Sequence, residues 1–164
     1  MNYDNRSNNS NFSNVISFFR LGHISRGYDR KMETLKYLVI ERDNYKSLHA
    51  ATSIGQRELI LHLKGVWTPY PTKTSIQVGE RHLESETGAC INHSCSPNAE
   101  IIYIQGWDAN GSPVSSGTTG LVSLEKIQKG KEITFNYNLT ESILANPFKC
   151  NCCGKEIKGK DYEL

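Results

Sequence analysis

With 164 residues, 37% of them apolar and 22% charged, the chain is long enough for one domain with a real core and too short for two comfortable ones. It carries no apolar run near the ~20 residues of a membrane helix and no signal-peptide pattern, which points to a cytoplasmic or nuclear protein. A formal net charge of only +2 supplies no global basic field, so direct nucleic-acid binding is not expected.

In chain order, residues 1–14 are dominated by Asn and Ser and are expected to be a disordered lead-in. Residues 15–35 read as an N-terminal extension whose apolar positions fit a short helix or a strand equally well. A β-rich body follows. Short β-branched or aromatic runs fall at 36–42 (KYLVIER), 58–63 (ELILHL), 74–78 (TSIQV), 100–104 (EIIYI), 120–123 (GLVS) and 132–137 (EITFNY), bounded by turn residues or charges. Long loops are expected at 79–98 and 106–119, the first carrying the densest chemistry. The pattern predicts a mainly β fold of several small sheets with few short helices and no internal repeat.

Five cysteines are few for a disulfide framework, and their number is odd. Three of them, Cys150, Cys152 and Cys153, lie within four residues, a spacing that favours thiolate ligands over disulfides in an intracellular chain.

The most specific strings are 91–98 (INHSCSPN) and 129–137 (KGKEITFNY). Together they resemble the two signature motifs of the SET-domain methyltransferases, in the family's order and at a plausible separation. The likeness extends through 48–65, read as the early strand pair, and through 147–152 (PFKCNC), read as the start of the cysteine-rich post-SET tail. It covers roughly residues 36–164, and it divides the chain into a SET domain at 36–140 and a post-SET-like tail at 141–164.

The resemblance implies a SET-type fold with a knot-like C-terminal segment and an S-adenosylmethionine-dependent enzyme that methylates lysine side chains of a histone or other protein. By similarity Tyr137 is the catalytic residue, placing its hydroxyl beside the transferring methyl. Asn92 through its side chain, and His93 largely through its backbone, would hold the cofactor together with Phe148; without a metal in the tail, Phe148, Ile157 and Tyr162 would close it over the cofactor by apolar packing alone. The attacking amine must be neutral although free lysine titrates near 10.4; a dry channel and a nearby sulfonium both lower that value, so no strong base is required. The implied partners are S-adenosylmethionine and a protein or peptide presenting a lysine, with no membrane.

The chain departs from the family pattern in three places. The family's Gly-x-Gly near the first strands is replaced by 45–47 (YKS), and its channel tyrosine by 62–65 (HLKG), leaving Tyr70 or Tyr103 as alternative aromatic walls. In the tail, Cys150, Cys152 and Cys153 would join Cys95 around one structural Zn²⁺. The ligand count supports the site, and the loss of the family's four-residue spacer before the third tail cysteine argues against it.

Simpler readings exist for each residue taken alone. Asn92-His93-Ser94 can be an Asx-type turn, Tyr137 half-buried packing, and Cys95 with His93 a thiol and its base. The main alternative for the whole chain is a catalytically weak SET-like domain that binds a peptide or protein.

Overall fold

The computed structural model describes residues 35–160 except Asp108 and Gly111. The expected lead-in, all but the last residue of the N-terminal extension, and Tyr162 therefore lie outside the described residues.

β1 (Tyr37–Arg42) and β2 (Tyr45–Ala50) form an antiparallel hairpin in which Arg42 faces Tyr45. The two-residue connection is Asp43-Asn44, both at positive φ (48° and 64°), as the primed hairpin turns require and as Asp and Asn tolerate. The inner positions of β2, Leu48 and Ala50, are fully buried. Its free edge is taken by the chain at 130–133: Ile133 N–H bonds Leu48 O at 2.7 Å and Ala50 N–H bonds Lys131 O at 2.9 Å.

β3 (Leu59–Leu63) does not pair with β2, contrary to the expected early strand pair. It joins a second sheet on β9. β4 (Val66–Thr68), β5 (Ser75–Val78) and β6 (Arg81–Glu84) make a third sheet in the order β4-β6-β5. Gly65 is required where β4 begins, because a Cβ there would lie 1.9 Å from the Glu84 carbonyl oxygen.

The stretch 79–98, expected as a loop, is partly structured: β6, a 3₁₀ turn at Gly88–Cys90, and β7 (Asn92–His93) all fall within it. The segment 106–119 likewise belongs mostly to a long hairpin of β8 (Ala99–Trp107) and β9 (Pro113–Ser123). Strand periodicity is short in both regions, so turn-rich composition hid the pairing.

β10 (Thr134–Phe135) lies parallel to β7, and α1 (Tyr137–Thr140) follows at once. β11 (Phe148–Lys149) and β12 (Glu156–Ile157) close the tail as a small hairpin. One hydrophobic cluster runs beneath these sheets, with Leu48, Ile54, Leu121 and Ile133 at 0% exposure and Ile91 at 1%. It backs the site directly, because Phe135 belongs to it and Tyr137 packs against it.

Candidate active site and metal centre

The parallel β7–β10 pair brings the two motifs together, with Thr134 opposite Asn92 and Phe135 opposite His93. Asn98 ties the arrangement like an extra rung: its amide nitrogen donates to Glu132 O at 2.8 Å, and its oxygen accepts from Thr134 N–H at 3.0 Å. Asn136 caps α1 by accepting from Asn138 N–H at 3.1 Å, which makes Tyr137 the first helical residue and not, as expected from 132–137, the end of a strand.

Tyr137 donates its hydroxyl hydrogen to Ile91 O at 2.8 Å. A phenol has one hydrogen, so its remaining capacity is that of an acceptor. Burial, followed by the charges of Tyr45, Glu141 and Glu132, holds this phenol above its ordinary pKa, and it stays neutral. Its ring stacks at a tilt on Phe135 (centroids 4.7 Å) and meets His93 and Phe148 edge-on at 5.3 and 6.0 Å.

These residues line a cavity of about 610 Å³, inside the range of roughly 300–1,000 Å³ found for small-molecule and cofactor sites. Asn92, His93, Tyr137 and Phe148, each singled out from the sequence, all face it. The lining also takes in the loop 71–75, whose Thr72 and Thr74 hydroxyls are both anchored on the Glu84 carboxylate, and the tail from Ile143 to Cys152. The Asn92 amide nitrogen is held by Glu132 Oε1 at 2.7 Å and Lys46 O at 3.1 Å.

Tyr70 is 75% exposed and outside the cavity lining, and Tyr103 lies over Gly117 on the long hairpin, so neither supplies the aromatic wall. Tyr45 does so, from the stretch 45–47 that stands in place of the family's Gly-x-Gly. It escaped the sequence reading because nothing in 45–47 marks which side chain turns inward.

Glu141, also missed, lies 3% exposed in the lining. Its Oε1 accepts from Gln77 N–H at 2.9 Å, while Gln77 Oε1 accepts from Ser142 N–H at 2.7 Å, a two-way clamp between α1 and β5. Burial pushes its carboxyl up to about 7. His82 Nδ1 sits 4.0 Å from Glu141 Oε2 and is buried with no hydrogen-bond partner among the described residues.

The four cysteines named from the sequence converge. The sulfurs of Cys95, Cys150, Cys152 and Cys153 lie within 4.8 Å of one another. Tetrahedral zinc with Zn–S bonds of about 2.3 Å sets its sulfurs roughly 3.8 Å apart, against 3.7 Å for Cys95–Cys150, 3.4 Å for Cys95–Cys153 and 3.0 Å for Cys150–Cys152. The missing spacer is no obstacle, because the chain turns sharply at 151–153: Gly154, at φ 72°, donates its N–H to Cys150 O at 2.8 Å. Hydrogen bonding among the thiols, that with Cys152 first, lowers the Cys150 thiol and raises that of Cys95, so the sulfurs titrate as one coupled group. The residues present fit a closed structural zinc site.

A family model of the SET domain matches residues 3–138. Histone-lysine N-methyltransferase ASHH2 of Arabidopsis thaliana is 30% identical over 90 residues, 55% of this chain and 5% of that protein. The H3 lysine-36 specific histone-lysine N-methyltransferase of Eremothecium gossypii is 38% identical over 86 residues, 48% of this chain and 12% of that one. The chain thus spans a small part of the curated relatives it matches. Among solved structures, KRYPTONITE in complex with mCHH DNA, an H3(1-15) peptide and SAH superposes with a TM-score of 0.55 at 15% identity, over 72% of this chain and 28% of that one. A proposed histone methyltransferase from Plasmodium falciparum gives 0.50 at 19% identity, over 62% and 96%.

Proposed function

Since the chain belongs to the SET-domain family, we propose that it transfers the methyl group of S-adenosylmethionine to a lysine side chain of a protein. The observation that carries this reading is Tyr137, a neutral phenol with its hydrogen committed to Ile91 O and its ring in the wall of a cofactor-sized cavity. The cofactor supplies an electrophilic methyl on a sulfonium sulfur.

The chain's own work is alignment and desolvation. With its hydrogen engaged, the Tyr137 oxygen accepts an N–H from the target amine and fixes the direction of its lone pair. The rings of Phe135, Tyr137 and Phe148 in the cavity wall keep water from the amine, which disfavours the ammonium and helps deliver the neutral form. Tyr137 adds no buried charge of its own, because burial keeps the phenol protonated and leaves no phenolate to take a proton from the amine. Asn92 and His93, with Phe148 of the tail, line the same cavity, where they would hold the cofactor. Cys95, Cys150, Cys152 and Cys153 would hold one zinc, whose chemistry is structural: it pins the tail that carries Phe148.

The relatives' names support histone H3 as the first substrate to try and the nucleus as the place of action. The KRYPTONITE complex contains DNA, but the chain matches 28% of that protein, and DNA forms no part of this reading.

One observation favours a second reading, a fold-retaining peptide-binding module: the Tyr45 side chain lies in the cavity where the family has bare backbone. Cofactor binding separates the two. S-adenosylmethionine at a hundred times its dissociation constant should stabilise the native state by about 2.7 kcal/mol, and Asn92→Ala should blunt the shift. A melting temperature indifferent to the cofactor would support the module.

A further inference from the structure

The His93 ring joins the two halves of the site. Its Nδ1 lies 3.2 Å from the backbone nitrogen of Tyr137, and its Nε2 lies 3.4 Å from Cys95 Sγ. A backbone N–H can only donate, so Nδ1 carries the lone pair, and in a neutral imidazole the hydrogen then sits on Nε2, facing the sulfur. A metal-bound thiolate can only accept, so that one tautomer satisfies both contacts. The ring is further held edge-on by Tyr137 and Phe148, centroids 5.3 and 5.8 Å away, and has little room to turn.

We propose that His93 is a positioning residue that couples the four-cysteine metal cluster to Tyr137, its Nε2–H holding the Cys95 sulfur and its Nδ1 holding the Tyr137 backbone. The proposal rests on the reading of Tyr137 as catalytic and of the cysteines as zinc ligands. With zinc bound, Cys95 cannot drift, the ring is fixed at its far end, and the first turn of α1 is fixed with it. Tyr137 then keeps the orientation that lets it reach Ile91 O. Without the metal the sulfur is free to move, and the chain of contacts slackens as far as the phenol. Tail closure and catalytic alignment thereby become one event, which a contact through Phe148 alone would not require.

Two substitutions divide the ring's functions. In His93→Asn the amide oxygen can take the place of Nδ1 and accept from Tyr137 N–H, but nothing reaches Cys95. In His93→Gln the amide nitrogen can take the place of Nε2 and donate to Cys95, but the Tyr137 N–H loses its acceptor.

The experiment uses the zinc-loaded full chain: nitrogen-15 NMR of the imidazoles for tautomer, competition against a chromogenic chelator for zinc affinity, and steady-state kinetics at saturating zinc. We expect one tautomer, hydrogen on Nε2, in a resonance that disappears in His93→Asn and moves when zinc is removed. Zinc affinity should fall at least tenfold in His93→Asn and less than about threefold in His93→Gln, while kcat falls at least tenfold in His93→Gln with KM little changed. The hydrogen on Nδ1, a resonance blind to zinc removal, or a chain that binds no zinc would overturn the proposal. Equal zinc affinity in both variants would also overturn it. If the wild type transfers no methyl, the assignment of Tyr137 fails, while the tautomer and zinc measurements still decide whether His93 bridges the cluster and α1.

Discussion

The Tyr137 hydroxyl donates to the carbonyl of Ile91 across 2.8 Å, joining the end of the second motif to the start of the first. The parallel pairing of β7 and β10 brings the two residues within reach, although 46 positions separate them in the chain.

Tyr137→Phe removes both this bond and the only hydroxyl the account assigns to the reacting amine. The expected result is a fall in kcat on the order of 100-fold, the scale for losing one preorganised polar group at a reaction centre. The unpaired Ile91 carbonyl should cost about 1–3 kcal/mol of stability. Steady-state kinetics beside denaturant melts measure the two separately.

Glu141 makes stability depend on pH. Its folded value of about 7 stands above the ordinary 4.5, so between those values the folded chain keeps a proton that the unfolded chain has released. Its contribution is complete below 4.5 and is lost as pH rises through 7. Glu141→Gln keeps an acceptor for Gln77 N–H and can turn an amide N–H toward the unpartnered His82 Nδ1. We expect the variant to melt above the wild type at pH 8 and the gap to narrow toward pH 5. A gap that widens on acidification would refute this.

The cysteine cluster predicts close to one zinc per chain after dialysis, measured by elemental analysis, and much less in Cys150→Ser. Chelation should raise hydrogen exchange at 148–157, where β11 and β12 pair, before it reaches the β1–β2 hairpin.

Gly65 and Gly79 should respond differently to alanine. At Gly65 the added carbon meets the Glu84 backbone at 1.9 Å, and neither strand can yield easily. At Gly79, φ is 64° with open space around it. Denaturant melts should give a loss of about 2–3 kcal/mol for Gly65→Ala and about 1 for Gly79→Ala.

The elements the sequence exposed were those with strong local signals. Apolar runs such as 36–42 and 58–63 announce strands, and the two motifs carried Asn92, His93 and Tyr137 into one cavity. What stayed hidden depends on contacts far apart in the chain. The partner of β3 is β9, some sixty residues away, and the two-residue strands β7 and β10 have no periodicity to read. Glu141 looks like any charged loop residue until β5 folds over it, and Tyr45 gives no sign that it faces a cavity. The adjacent Cys152 and Cys153 look strained as ligands in a linear string. The turn closed by Gly154 removes that objection, a three-dimensional fact that spacing rules do not contain.

The most direct test of the central claim is transfer of labelled methyl from S-adenosylmethionine to recombinant histones, with Tyr137→Phe in parallel and the modified residue identified by mass spectrometry. The account predicts label on lysine, histone H3 first, reduced on the order of 100-fold by the substitution. Label that survives Tyr137→Phe undiminished, or none from a folded wild type that binds the cofactor, would contradict it.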